Sequence, residues 1–206
     1  MRRAGAASGA AAFPVRAPSA GDSARGLETL SLEKLRPHAS SGARGLIEAG
    51  LGILPEDAEF KPLREAFLKH YADEFCVDTR LFPGVAELLA AIEARSLRWG
   101  IVTNKSTHLT WMIVKALGLD ERAACVVCGD TTPHLKPNPA SLLHAAQELA
   151  LAPKHCVYLG DDLRDIQAAR SASMRAVAVE WGYGAGLHSW NADAVIARPG
   201  DLIEWL

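Results

Sequence analysis

The spacing of apolar positions changes character once along the chain. From Leu27 to about Arg80 it follows the three-to-four repeat of a helix, clearest in Leu63, Ala66, Phe67, His70, Tyr71 and Phe75, with Gly42, Gly45, Gly50, Gly52 and Pro55 as breaks. A small helical subdomain is predicted over 27–80. After Phe82-Pro83-Gly84, short β-rich runs alternate with amphipathic stretches. The pattern predicts helices over 85–95, 107–117, 140–150 and 163–172, and strands over 99–103, 124–128, 156–159, 176–179 and 194–196. Regular strand–helix alternation implies an α/β fold in which a parallel sheet is covered on both faces, here over 81–206.

Residues 1–26 break this order. Ala, Gly, Arg, Ser and Pro dominate them, with no period that would bury a face, and Asp22 is their only acid. The segment is expected to be disordered or poorly packed. Its arginines suit a targeting peptide, but it lacks both the amphipathic helical pattern of a transit peptide and the apolar stretch of a signal peptide.

Composition narrows the partners. With 22 Lys and Arg against 24 Asp and Glu, the net charge of −2 gives no reason to expect nucleic acid or an anionic membrane surface. No apolar run reaches the roughly 18 residues that a bilayer span needs. A soluble cytoplasmic monomer or homodimer acting on a small molecule is expected. The four cysteines fit a reducing compartment, and Cys125-Val-Val-Cys128 has metal-ligand spacing but lies in an apolar run without a second Cys/His pair. These two are expected to be buried structural thiols.

Three polar clusters fall where predicted strands end, which is where open parallel sheets bind ligands. In the first, a strand stops at Thr103-Asn104 directly before a helix. The hydroxyl, the amide and the first helical N–H groups suit a phosphate, and equally suit a helix cap. The second, Leu135-Lys136-Pro137-Asn138-Pro139, holds one lysine between stiffening prolines, either as a counter-charge to phosphate or as an ordinary surface lysine. The third, Gly160-Asp161-Asp162-Leu-Arg-Asp165, crowds three carboxylates into five positions after an apolar strand. Asp162 and Asp165 suit a helix cap and first-turn acid, which leaves Asp161 unexplained. Crowded carboxylates repel unless a cation joins them, and hard oxygen ligands suit Mg²⁺. No Gly-x-Gly-x-x-Gly follows a strand, which argues against a dinucleotide site.

Taken together and in this order, Thr103-Asn104, Lys136 and Gly160-Asp161-Asp162-Leu-Arg-Asp165 resemble three of the motifs of haloacid dehalogenase-like hydrolases. Leu35-Arg-Pro-His-Ala-Ser-Ser-Gly-Ala-Arg-Gly-Leu46, Val102-Thr-Asn-Lys105 and Gly160 to Ala169 are similar to the phosphoglycolate phosphatase group. Arg80-Leu-Phe-Pro-Gly84 and Trp181-Gly-Tyr-Gly184 are similar to the related N-acetylmuramic acid 6-phosphate phosphatases. The resemblance spans about 25–206 and implies a Rossmann-like core with a helical cap over 27–80. It further implies Mg²⁺-dependent transfer of a phosphoryl group from a small phosphorylated metabolite to an aspartate, followed by hydrolysis. By it, Thr103 and Asn104 hold the phosphoryl oxygens, Lys136 neutralises them and Asp161 ligates the metal. Asp165 supports the metal shell or orients Lys136, and Ser41, Gly42 and Arg44 of the cap face substrate.

One element of the resemblance is missing. Such enzymes begin with a strand running into Asp-x-Asp-Gly-Thr, whose first aspartate is the nucleophile, and nothing in residues 1–40 matches it. The first, central strand is therefore expected to be absent and the chain to be a catalytically impaired enzyme or, as the alternative, a phosphate- or metal-binding homologue without turnover.

Overall fold

The computed structural model describes residues 4–7, 35, 38, 41–74 and 79–205. Ala4–Ala7 and the chain from Arg80 onward fall in one compact unit, and the helices between them in a second.

Among its described residues the larger unit contains six strands: β1 (Ala4–Ala7), β2 (Ile101–Val102), β3 (Val126–Val127), β4 (Cys156–Gly160), β5 (Arg175–Val179) and β6 (Ala194–Ile196). All pairings are parallel. They form a four-stranded sheet in the order β1-β4-β5-β6 and a separate pair, β2-β3. A single sheet was the simplest expectation from the alternation. The helices here are α3 (Val85–Ala94), α4 (Thr107–Ala116), α5 (Ala140–Glu148) and α6 (Leu163–Ser171). β2 and β3 are shorter than predicted, yet their backbone pairing extends further: Ala124 N–H donates to Trp99 O (2.8 Å) and Thr103 N–H to Val127 O (2.9 Å).

The alternating side chains of β4 explain why it reads as a continuous apolar run. Cys156 and Tyr158 enter one buried cluster with Leu142, Ala145 and Ala146 of α5 and Ile166 and Ala169 of α6. Val157 and Leu159 enter another with Leu88, Leu89 and Ile92 of α3. A strand covered on both faces has no polar face to show. Cys125 and Cys128 are buried, free thiols, as is Cys156. Cys76 lies outside the described residues.

The expectation of an absent first strand is corrected. Ala4–Ala7 pairs along β4, with Ala4 opposite Cys156 and Ala7 opposite Leu159. The physical reason is that an open edge of β4 presents unpaired N–H and C=O groups, and backbone pairing needs no particular side-chain pattern. An Ala-Gly-Ala-Ala run therefore takes the place without announcing itself in the sequence. It brings no carboxylate. The rest of the 1–26 segment lies outside the described residues.

The second unit holds α1 (Gly42–Leu51) and α2 (Phe60–Glu74). α1 buries Gly45 and Ile47 and ends at Gly52, whose left-handed backbone (φ 67°) lets its N–H return to Glu48 O at 2.9 Å.

Candidate active site

The ends of β2 and β4 and the loop before α5 meet around Lys136. Gly129 starts the crossing: its N–H donates to Lys105 O (2.8 Å), and a Cβ there would collide with Asn104 O. The loop then runs to Lys136, whose main chain is clamped by one side chain. Lys136 N–H donates to Asn104 Oδ1 (2.9 Å), and Asn104 Nδ2 donates to Lys136 O (3.0 Å). Asn138 accepts from Ala140 N–H at 3.0 Å and so fixes the start of α5.

Lys136 is almost fully buried, at 8% exposure. Its ammonium donates to Asp165 Oδ1 (2.7 Å), Tyr158 Oη (2.8 Å) and Val102 O (3.0 Å). Burial works against the charge, but Tyr158 and Asp165 outweigh it and hold the ammonium protonated above the ordinary lysine range. Asp165 is thus paired with Lys136. Asp165 lies in the first turn of α6, buried at 5% exposure. Asp162 is the cap of that helix, accepting from Arg164 N–H (2.8 Å) and pairing with its guanidinium at 2.7 Å.

Asp161, left over by the capping account, lies directly past β4 under the loop that follows β5. Tyr183 N–H donates to its Oδ2 at 2.9 Å. A Cβ on Gly182 would collide with Asp161 Cβ, and one on Gly184 with Asp161 O and the Trp190 ring. Burial pushes the Asp161 carboxyl up to about 6, the Tyr183 hydrogen bond opposes this, and Asp165 and Asp162 add to it. Among the described residues no group of three or more His, Cys, Asp and Glu side chains gathers into a cation site. One desolvated carboxylate still fits Mg²⁺, which commonly takes one or two protein carboxylates and completes its shell with phosphate oxygens and waters.

At the end of β2, Thr103 Oγ1 accepts from Lys105 N–H (3.1 Å), which leaves the hydroxyl proton to donate. Two expected phosphate contacts are already engaged. The Asn104 side chain serves the Lys136 clamp, and Asp130 accepts from the Thr107 N–H (2.9 Å) at the start of α4. Ser41, Gly42 and Arg44 are exposed at the start of α1, in the other unit. Neither Tyr158 nor the Tyr183 N–H stands out in the sequence as a site group. A lone phenol in an otherwise aliphatic strand and a Gly-Tyr-Gly directly after one were the available signals.

Two expectations follow. Asp161 binds its proton up to about pH 6, well above an ordinary carboxyl, so the unfolded chain holds fewer protons between about pH 4 and 6 and stability falls as pH rises through that window. Asp161→Asn in metal-free buffer therefore raises the melting temperature at pH 8 by an amount reflecting up to about 3 kcal/mol, and the gain vanishes near pH 4. Thermal scans at both pH values check this. Asn104→Ala removes both clamp bonds and leaves Lys136 backbone groups unpaired, at a cost of about 1–3 kcal/mol read by urea unfolding.

The family model described as haloacid dehalogenase-like hydrolase matches residues 25–179. An N-acetylmuramic acid 6-phosphate phosphatase of Pseudomonas aeruginosa is 38% identical over 189 residues, covering 89% of this chain and 82% of that protein. A phosphoglycolate phosphatase of Xanthomonas campestris pv. campestris is 40% identical over 185 residues, covering 88% and 83%. Among solved structures, a predicted phosphoglycolate phosphatase from Haemophilus somnus 129PT superposes with a TM-score of 0.82 at 23% identity, covering 99% and 97% of the two chains, which supports the fold. The chain belongs to the haloacid dehalogenase-like hydrolase family, and its relatives within that family are phosphatases.

Proposed function

We propose that the core is the phosphate-holding part of a Mg²⁺-dependent phosphomonoesterase for a small metabolite, 2-phosphoglycolate first, and that residues 1–206 do not supply the aspartate nucleophile. One observation carries the reading: a buried lysine is kept charged at the strand ends, and the buried Asp161 carboxylate past β4 has no cation partner among the described residues. Lys136 offsets the phosphoryl charge and Thr103 donates its hydroxyl proton to a phosphoryl oxygen. Asn104 acts through its clamp on the lysine loop. Asp161 holds Mg²⁺, and Asp165 stands behind it, oriented on Lys136. When bound, the metal supplies charge neutralisation to the phosphoryl oxygens. Ser41, Gly42 and Arg44 are assigned to substrate recognition.

N-Acetylmuramic acid 6-phosphate is the second reading, supported by the Pseudomonas relative and by the Arg80–Gly84 and Trp181–Gly184 segments. No helix among the described residues is long and apolar enough to cross a membrane, which is compatible with the proposed cytoplasmic setting. The test is calorimetric titration of the purified chain with inorganic phosphate. Binding should require Mg²⁺ and disappear in Asp161→Ala; no binding at millimolar phosphate with Mg²⁺ present overturns the reading.

A further inference from the structure

The Lys136 ammonium has three N–H donors and three acceptors within the fold: Asp165 Oδ1, Tyr158 Oη and Val102 O, at 2.7, 2.8 and 3.0 Å. None is left over for a ligand, so an anion that takes an N–H from Lys136 must displace one of these acceptors. We propose that Tyr158 is a positioning residue whose hydroxyl holds Lys136 withdrawn, and that a phosphoryl oxygen engages the lysine by replacing that hydroxyl. This rests on the reading of Lys136 as the phosphate's counter-charge.

The three acceptors are not equally easy to give up. Releasing Asp165 strands a carboxylate at 5% exposure without its cation. Val102 adjoins Thr103 at the end of β2, so a lysine moving toward the strand ends stays beside its carbonyl. Tyr158 is rooted three residues before Asp161, deeper in the sheet, and is fully buried. It also loses least. Its hydroxyl lies 3.1 Å from Val102 O and 3.5 Å from Asp165 Oδ1, so it continues to donate its own proton when the lysine departs. The hydroxyl thus bridges β4 to β2 with or without Lys136.

Tyr158→Phe removes the hydroxyl and keeps the ring, whose centroid lies 5.4 Å from the ammonium, so the cation–π contact survives. In the free variant one buried N–H has no acceptor, and in the complex phosphate provides it. The variant should melt at a lower temperature than the parent yet bind inorganic phosphate, in saturating Mg²⁺, roughly fivefold more tightly, the size of one neutral hydrogen bond. A merely structural role lowers both stability and affinity. Unchanged or weaker binding by a folded variant overturns the proposal alone; no binding by either protein overturns it together with the phosphate-site reading. A second measurement needs no variant. In the parent protein carrying ¹³C-labelled tyrosine, the Tyr158 Cζ resonance should shift on saturation with phosphate, and an unmoved resonance in the saturated complex contradicts the displacement.

Discussion

Lys136→Met should be the most damaging single substitution in the core unit. It removes the cation from a pair whose members are both under one-tenth exposed, leaving the Asp165 carboxylate buried beside the Tyr158 hydroxyl. Breaking a buried pair from one side costs about 3–5 kcal/mol, which for a chain of this size is a fall of roughly 6–20 °C in melting temperature. Adding Asp165→Asn removes the orphaned charge, so the double variant should regain much of that loss. It should not regain phosphate binding, because the counter-charge to the ligand stays absent. Thermal scans of the single and double variants, with phosphate titrations of each, separate the structural share of Lys136 from its share in the site.

The other large effect is a gain. β1 already lies in parallel register with β4, and Ala7 faces Leu159, two residues before Asp161. The next five positions, Ser8 to Ala12, contain no carboxylate. Replacing them with Asp-Leu-Asp-Gly-Thr introduces a carboxylate directly after Ala7 in the sequence. Mg²⁺-dependent phosphate release should rise by about 10³-fold or more, the scale on which nucleophile deletions act. Asp161→Ala in the grafted chain should abolish it. The same graft compares 2-phosphoglycolate with N-acetylmuramic acid 6-phosphate, and the faster substrate identifies the group whose specificity this chain shares.

Much of the core was legible because its elements announce themselves twice, by period and by punctuation. β4 reads as a strand from its unbroken apolar run, and α6 starts where Asp162 predicts, with the cap bond in place. The gathering of Asn104, Lys136 and Asp165 was likewise readable from three weak motifs in the right order. What the pattern hides is who serves whom. Asn104 reads as a phosphate ligand or cap, and only the fold shows both ends of its amide spent on the Lys136 main chain. Tyr158 reads as a strand former, because its apolar body packs like its neighbours while only its hydroxyl meets Lys136. Gly182 and Gly184 read only as part of a family-like segment, whereas the close approach of Asp161 is what requires them. β1 carries no side-chain signal at all, since its place is defined by backbone pairing with β4.

The most direct test of the account is phosphate release from 2-phosphoglycolate by the purified, ungrafted chain in Mg²⁺. No release above the rate of the Asp161→Ala variant is expected, with activity appearing only after the nucleophile graft. Release by the ungrafted chain that Asp161→Ala abolishes would contradict it, since a nucleophile within these 206 residues would then complete the site.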